Sequence, residues 1–190
     1  MWNKLLFFAV LLAVAFLSGC ASVKMVDPSM DAEAKQFAAP AADDSILYLY
    51  RTGSFAGGGL KKDIWVDGKY IGESSSCPSG TFFKISVTPG KHVISTESEF
   101  SPNHILINAR GGEDYYIQQY ARPGIFVGGA EMKLVSKEEG RQQILSSCKL
   151  AQRQEGKKAD LQNIEQLKTE LKEEVPAPYK PSRKSDSEDL

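Results

Sequence analysis

The chain is poor in the side chains that bind metals, with two histidines, His92 and His104, and three cysteines, Cys20, Cys77 and Cys148, spread over 190 residues. None stands at the short spacing a zinc site uses, so neither a metal ligand set nor a cofactor is expected. An excess of one charge is also missing. Lys and Arg number 23 against 24 Asp and Glu, a net charge of -1, without the basic clusters that a phosphate backbone demands, which excludes nucleic acid as a partner. The one long apolar run, Leu5 to Leu17, falls short of the ~20 residues that cross a bilayer as a helix, and the later β-like runs are shorter than the ~9 to 11 residues of a membrane barrel strand.

What is present starts with that run. Lys4 precedes it and Leu17, Ser18, Gly19 and Cys20 close it, the layout of an export signal. The closing tetrad resembles the bacterial lipobox. That resemblance implies a signal peptide over residues 1–19, cleavage after Gly19, a diacylglycerol on the Cys20 sulfur and an acyl chain on the new amine. A nucleophilic thiol held at the bilayer surface suits alkylation by a lipid donor. Each buried methylene contributes roughly 0.8 kcal/mol, so one chain binds marginally and two or more anchor the protein. Ala21 rather than Asp follows, and the enterobacterial sorting rule then implies the outer membrane, with the body facing the periplasm. An uncleaved signal anchor is the alternative.

Residues 20–45 are Ala-, Asp- and Pro-rich with scattered apolar side chains. They read as a flexible tether with two helical turns around Ala32 to Phe37, and a coil of ~25 residues would hold the domain near ~27 Å from the membrane. Residues 46–150 change character, to short β-rich runs separated by turn residues. "ILYLYR" alternates Ile46, Tyr48 and Tyr50 against Leu47 and Leu49. Asp67-Gly68 sits between two such runs as a two-residue type I′ hairpin turn, and Pro89-Gly90 reads as a second hairpin. Runs at Ile105 to Asn108, Tyr115 to Ala121 and Glu131 to Val135 bring the expectation to about eight strands. The fold class is therefore mainly β, a small antiparallel β-sandwich of immunoglobulin or transthyretin type, or a small barrel. Ser136 and Glu139 have capping-box spacing for a closing helix whose Ile144, Leu145 and Cys148 dock on the sandwich. Residues 151–190 carry a thin stripe, Leu161, Ile164, Leu167 and Leu171, and then a Pro- and charge-rich tail read as disordered. The stripe suits docking on a partner helix or on its own domain, or a solvated single helix.

At "WVDGKYIGE", "PGKH" and "GEDYYIQQY" the chain resembles a family of Gram-negative lipoproteins known as DUF2846, a domain of unknown function. Val66, Asp67, Gly68, Lys69, Ile71 and Gly72, then Pro89, Gly90 and His92, are also similar to PEGA domains, although the Pro-Glu-Gly-Ala signature is missing. Both resemblances imply a β-sandwich at the cell envelope, and neither supplies catalytic residues.

Four groups of residues invite a chemical reading. Cys77, in "SSSCPSG", and Cys148 form a disulfide candidate in an oxidising compartment, the alternative being one buried and one loop thiol. Tyr116, Gln118 and Tyr120 alternate on one face, and with Arg122 they form a candidate ligand face for sugar or peptide, or else they pack in the core. "FAGGGLKKD" lacks the Gly-Lys-Ser/Thr of a phosphate loop and reads as a flexible connection. His92 reads as a structural histidine rather than a pH sensor. No nucleophile stands beside an evident base, so the expectation is no enzyme and no catalytic residue. The expected role is that of a lipid-anchored envelope protein that binds or scaffolds an envelope protein. A glycan- or peptidoglycan-binding module is the alternative, and an envelope hydrolase the remoter one.

Overall fold

A computed structural model of the protein describes residues 23–53, 60–76, 79–122, 128–155 and 161–176. Among these, nine strands and three helices follow one another: α1 (Pro28–Ala34), β1 (Ser45–Arg51), β2 (Lys62–Val66), β3 (Lys69–Ser74), β4 (Gly80–Val87), β5 (Gly90–Thr96), β6 (Asn103–Ala109), β7 (Asp114–Arg122), β8 (Gly129–Val135), α2 (Lys137–Ser147), β9 (Cys148–Leu150) and α3 (Ile164–Glu170). The strands form a five-stranded sheet in the order β8-β7-β1-β4-β9 and a four-stranded sheet in the order β3-β2-β5-β6. The expected mainly β, two-sheet architecture is present. It is not wholly antiparallel, because β1 runs parallel to β7 and β4 parallel to β9.

Alternation in the sequence accounts for the layering. Leu47, Leu49, Phe83, Ile85, Ile117 and Leu134 of the larger sheet meet Ile64, Val66, Ile71, Ile94, Ile105 and Ile107 of the smaller one in the inter-sheet core. The intervening side chains Ile46, Tyr48, Tyr50, Phe82, Tyr116 and Val135 point the other way, into a second core roofed by Ala34, Phe37 and Ile144 of the helical layer. Every residue of β1 is buried as a result. Each such Leu, Ile or Phe contributes roughly 1.5 to 3 kcal/mol by leaving water.

The Asp67-Gly68 turn is as expected, with positive φ at both positions, 48° and 78°, which types I′ alone among the two-residue hairpin turns require. The Pro89-Gly90 turn is not a hairpin. β4 pairs with β1 and β9, whereas β5 pairs with β2 and β6, so this turn carries the chain from one sheet to the other. Turn chemistry is local and says nothing of which strands become neighbours.

Three boundaries also differ from expectation. The segment read as a tether is part of the body from Val23 onward: Val23 is buried in the inter-sheet core, Met25 bridges to Ala151, and Phe37 packs edge-on against Tyr48 at 5.3 Å. Its helix starts at Pro28, four residues earlier than read, because Asp27 caps the Ser29 N–H at 2.9 Å and Pro28 takes the first helical position. The closing helix begins as expected, with the Ser136 hydroxyl accepting from Glu139 N. It ends at Ser147, however, so Cys148 opens β9, and Leu145 is 58% exposed. Finally, the C-terminal stripe docks on its own domain. Gln154 N donates to Ile71 O, Leu161 N to Gly68 O and Glu174 N to Leu106 O, and α3 lies on β5. This strap crosses the outer face of the smaller sheet, where Trp65, Val93 and Leu106 are buried.

Candidate functional site

The face of β7 expected to hold a ligand is divided by the helical layer. Gly140 of α2 sits against the Tyr116 ring so closely that an added Cβ would stand 2.4 Å from it. That approach lets α2 cover the ring: Tyr116 is 1% exposed, stacked on Tyr48 with 4.9 Å between centroids. A pair of rings flanking Gln118 is therefore not on offer to a glycan, a correction that follows from one glycine. Gln118 is half-buried. Tyr120 is exposed and donates to Glu131 at 2.7 Å, and Arg122 pairs with the same carboxylate. The exposed end of this face is thus an internally satisfied Tyr120–Glu131–Arg122 set.

Beneath α2 lies a polar network that the sequence reading missed. Asp114 accepts at one oxygen from Tyr116 Oη and Arg141 Nη2, each at 2.8 Å, and Lys137 pairs with the other oxygen. Arg141 also donates to Tyr116 Oη at 2.8 Å and to Phe37 O at 3.3 Å, with its guanidinium 5.1 Å from the Phe37 ring. Burial pushes the Asp114 carboxyl up, but the bonds from Lys137, Tyr116 and Arg141 together outweigh it and hold the carboxyl below its ordinary range. Burial raises the Tyr116 hydroxyl far above the usual phenol value. The network is that of an ionised carboxylate pinning α2 and the N-terminal segment to β7, not of an acid poised to give up a proton. Only the 27-residue separation of Asp114 and Arg141, invisible to local spacing rules, hid it.

The other candidates resolve unevenly. Cys20 and Cys77 lie outside the described residues, and with them the anchor and the disulfide pairing. Cys148 is buried; its thiol points at Arg51 O, 3.5 Å away, and burial raises it to about 11. A thiol so protonated is a poor nucleophile. His92 is held between Asp67 Oδ2 at 2.6 Å and Thr88 O at 2.7 Å. At one end of the sandwich the inter-sheet space turns polar: Gln119 bonds Ser74 and Thr96, while buried Arg51 and Lys62 donate to the carbonyls of Leu60 and Gly128 at 2.8 and 3.0 Å. Lys62, read as part of a loop, is instead the first residue of β2.

Two grooves open near the start of the described chain, one lined by Val26 and the other by Val23 and Lys24. One, of about 390 Å³, runs between α1 and β9 and is lined by Val26, Met30, Ala34, Leu150 and Ala151, with Lys84 and Arg153 among its polar wall. The other, of about 500 Å³, is lined by Lys24, Lys61, Glu73, Arg153 and Glu155. Among the described residues no group of three or more His, Cys, Asp or Glu converges as a metal would require.

The family model "Protein of unknown function (DUF2846)" matches residues 41–130. A Haemophilus influenzae (strain Rd) protein described as "Uncharacterized protein" is 46% identical over 137 residues, which is 72% of this chain and 79% of the relative. The chain belongs to the DUF2846 family. Its DUF2846 segment takes in β1 to β7, and so both the Asp114–Tyr116 pair and the exposed Tyr120. The Arg141 partner, β9 and the strap fall beyond the segment that the DUF2846 model matches. No solved structure matches the chain.

Proposed function

We propose that this DUF2846 protein is a lipid-anchored component of the bacterial envelope, fixed through Cys20 to the outer membrane, facing the periplasm and acting by binding or scaffolding without catalysis. The observation that carries the reading is the position of the first described residue. Val23 is already buried in the inter-sheet core and stands three residues from Cys20. At about 3.3 to 3.6 Å per extended residue, acyl chains on Cys20 hold the sandwich within about 11 Å of the bilayer surface, not at the end of a long tether. A platform held that close suits contact with lipid or with a membrane neighbour more than capture of partners at a distance.

The absence of catalysis is supported by how the titratable side chains are employed. Asp114 neutralises Lys137 and Arg141, Asp67 holds His92, and Cys148 is buried and protonated. Each is occupied in joining elements. Intact-mass measurement of the native material tests the anchor: a chain beginning at Cys20 with diacylglyceryl and acyl additions is expected, and Cys20→Ser should move the protein from the membrane to the soluble fraction. An unmodified polypeptide still starting at Met1 would end the proposal. Of the β7 face the glycan alternative keeps the Tyr120 ring, and it predicts that Tyr120→Ala abolishes retention on peptidoglycan; unchanged or absent retention removes it.

A further inference from the structure

The groove between α1 and β9 has a composition that the fold does not need. Its apolar wall is built from Val26, Met30, Ala34, Leu150 and Ala151, and Met30 is 54% exposed at its lip, although an exposed turn of helix has no structural call for a large apolar side chain. Lys84 and Arg153 also line it, and among the described residues neither forms an ion pair, so both charges are open to a ligand. Glu33 lines the groove as well, leaving one positive charge in excess.

We infer that this groove is a binding site for a single acyl chain with an anionic head group, the chain lying along Val26, Met30 and Leu150 and the head group meeting Lys84 and Arg153. Three observations select this occupant. The volume, about 390 Å³, lies at the low end of the ~300 to 1,000 Å³ typical of small-molecule sites, which suits one chain rather than the two of a diacyl lipid. The uncompensated cations ask for a negative head, and a charge-assisted hydrogen bond to carboxylate or phosphate satisfies them. The anchor's own acyl chains have no such group, since a thioether and an amide are neutral. Val26 of the groove wall stands six residues from Cys20, so on the reading of Cys20 as a lipid anchor the groove lies within about 22 Å of the bilayer from which a fatty acid would be drawn. The inference rests on that reading for the ligand's route, while the groove and its charges belong to the fold.

The test uses the full chain, in phosphatidylcholine nanodiscs, mixed with a diazirine-bearing palmitic acid, irradiated, and mapped by peptide mass spectrometry. Labelling is expected on the peptides containing Val26 to Met30 and Leu150 to Arg153. Lys84→Glu combined with Arg153→Glu should lower it about tenfold, equivalent to roughly 1.4 kcal/mol. Met30→Asp, at an exposed helical position where folding is unaffected, should lower it by a similar factor. The diazirine-bearing fatty alcohol of equal length should label weakly. Labelling elsewhere, or labelling indifferent to these substitutions and to the head group, overturns the inference. The same measurement on the Cys20→Ser chain separates it from the anchor: labelling there supports the groove whatever the intact mass shows, and labelling there but not in the acylated protein overturns the inference, because the anchor's own chain would then fill the space.

Discussion

Both ring nitrogens of His92 face oxygen acceptors, the Asp67 carboxylate and the Thr88 carbonyl, an arrangement that the two N–H groups of an imidazolium satisfy. The hydrogen bond from Asp67 raises the His92 pKa, burial opposes, and the Thr88 carbonyl raises it further. Lys168 of the strap stands 3.9 Å from the same carboxylate and works against the ring's charge. A folded-state pKa above the unfolded value of ~6.5 means that the stabilisation is complete below that value and lost as pH rises through the folded one. Asp67 runs the other way: burial raises it, but bonds from His92 and Val93 N lower it overall, so its contribution persists above the unfolded carboxyl value and is lost as pH falls. His92→Gln should therefore be less stable than the parent at pH 6, and the difference in thermal midpoint should shrink as pH rises above about 6.5. A gap that stays constant from pH 5.5 to 9 would show that the ring is neutral.

Among elements, the strap formed by residues 161–176 packs α3 on β5 and supplies one of four edge closures. Each exposed edge of the two sheets is closed by something short: β9 by the Val26 N–H on Leu150 O, β3 by Gln154 N on Ile71 O, β6 by Glu174 N on Leu106 O, and β8 by the Asn103 side-chain amide on Ala130 O at 2.6 Å. Open edges invite pairing with other chains. The double substitution Ile164→Asp, Leu167→Asp should cost about 2 kcal/mol through lost burial. In a Trp2→Phe background it should also shift Trp65 emission to the red and promote association at high concentration. Unchanged emission and stability would mean that α3 adds nothing. These closures were the least legible part of the sequence. β1 to β8 announce themselves by alternation and by turns such as Asp67-Gly68, because a pleated, half-buried strand imposes a two-residue period on its own side chains. No such period marks Val23 to Val26 or Cys148 to Leu150, which become edge pieces only because β4 and the inter-sheet core wait for them. The candidate site was legible to the same degree. Tyr116 was placed correctly on an alternating face, but that the face is roofed depends on Gly140, 24 residues on.

For the molecule as a whole, the larger sheet is common to both cores: β1 turns Leu47 and Leu49 to one and Tyr48 and Tyr50 to the other, and β4, β7 and β8 divide in the same way. Neither core can be lost while the other keeps its shape. Unfolding should therefore be one cooperative transition, with tyrosine near-UV circular dichroism, which reports the Tyr48–Tyr116 stack, and Trp65 fluorescence, which reports the far face, sharing one denaturant midpoint. Separate midpoints would reveal two independent layers. The seating of Val23 has a mechanical consequence. Tension applied at the amino-terminal end meets few backbone bonds, Val26 N to Leu150 O of the edge strand β9 and Gln152 N to Lys24 O, before it reaches α1, and the pulled chain itself enters no strand until β1 at Ser45. The stretch ahead of β1 is thus a fusible seam: it can peel away as slack, at about 3.3 to 3.6 Å per residue, and spare the sheets the pull.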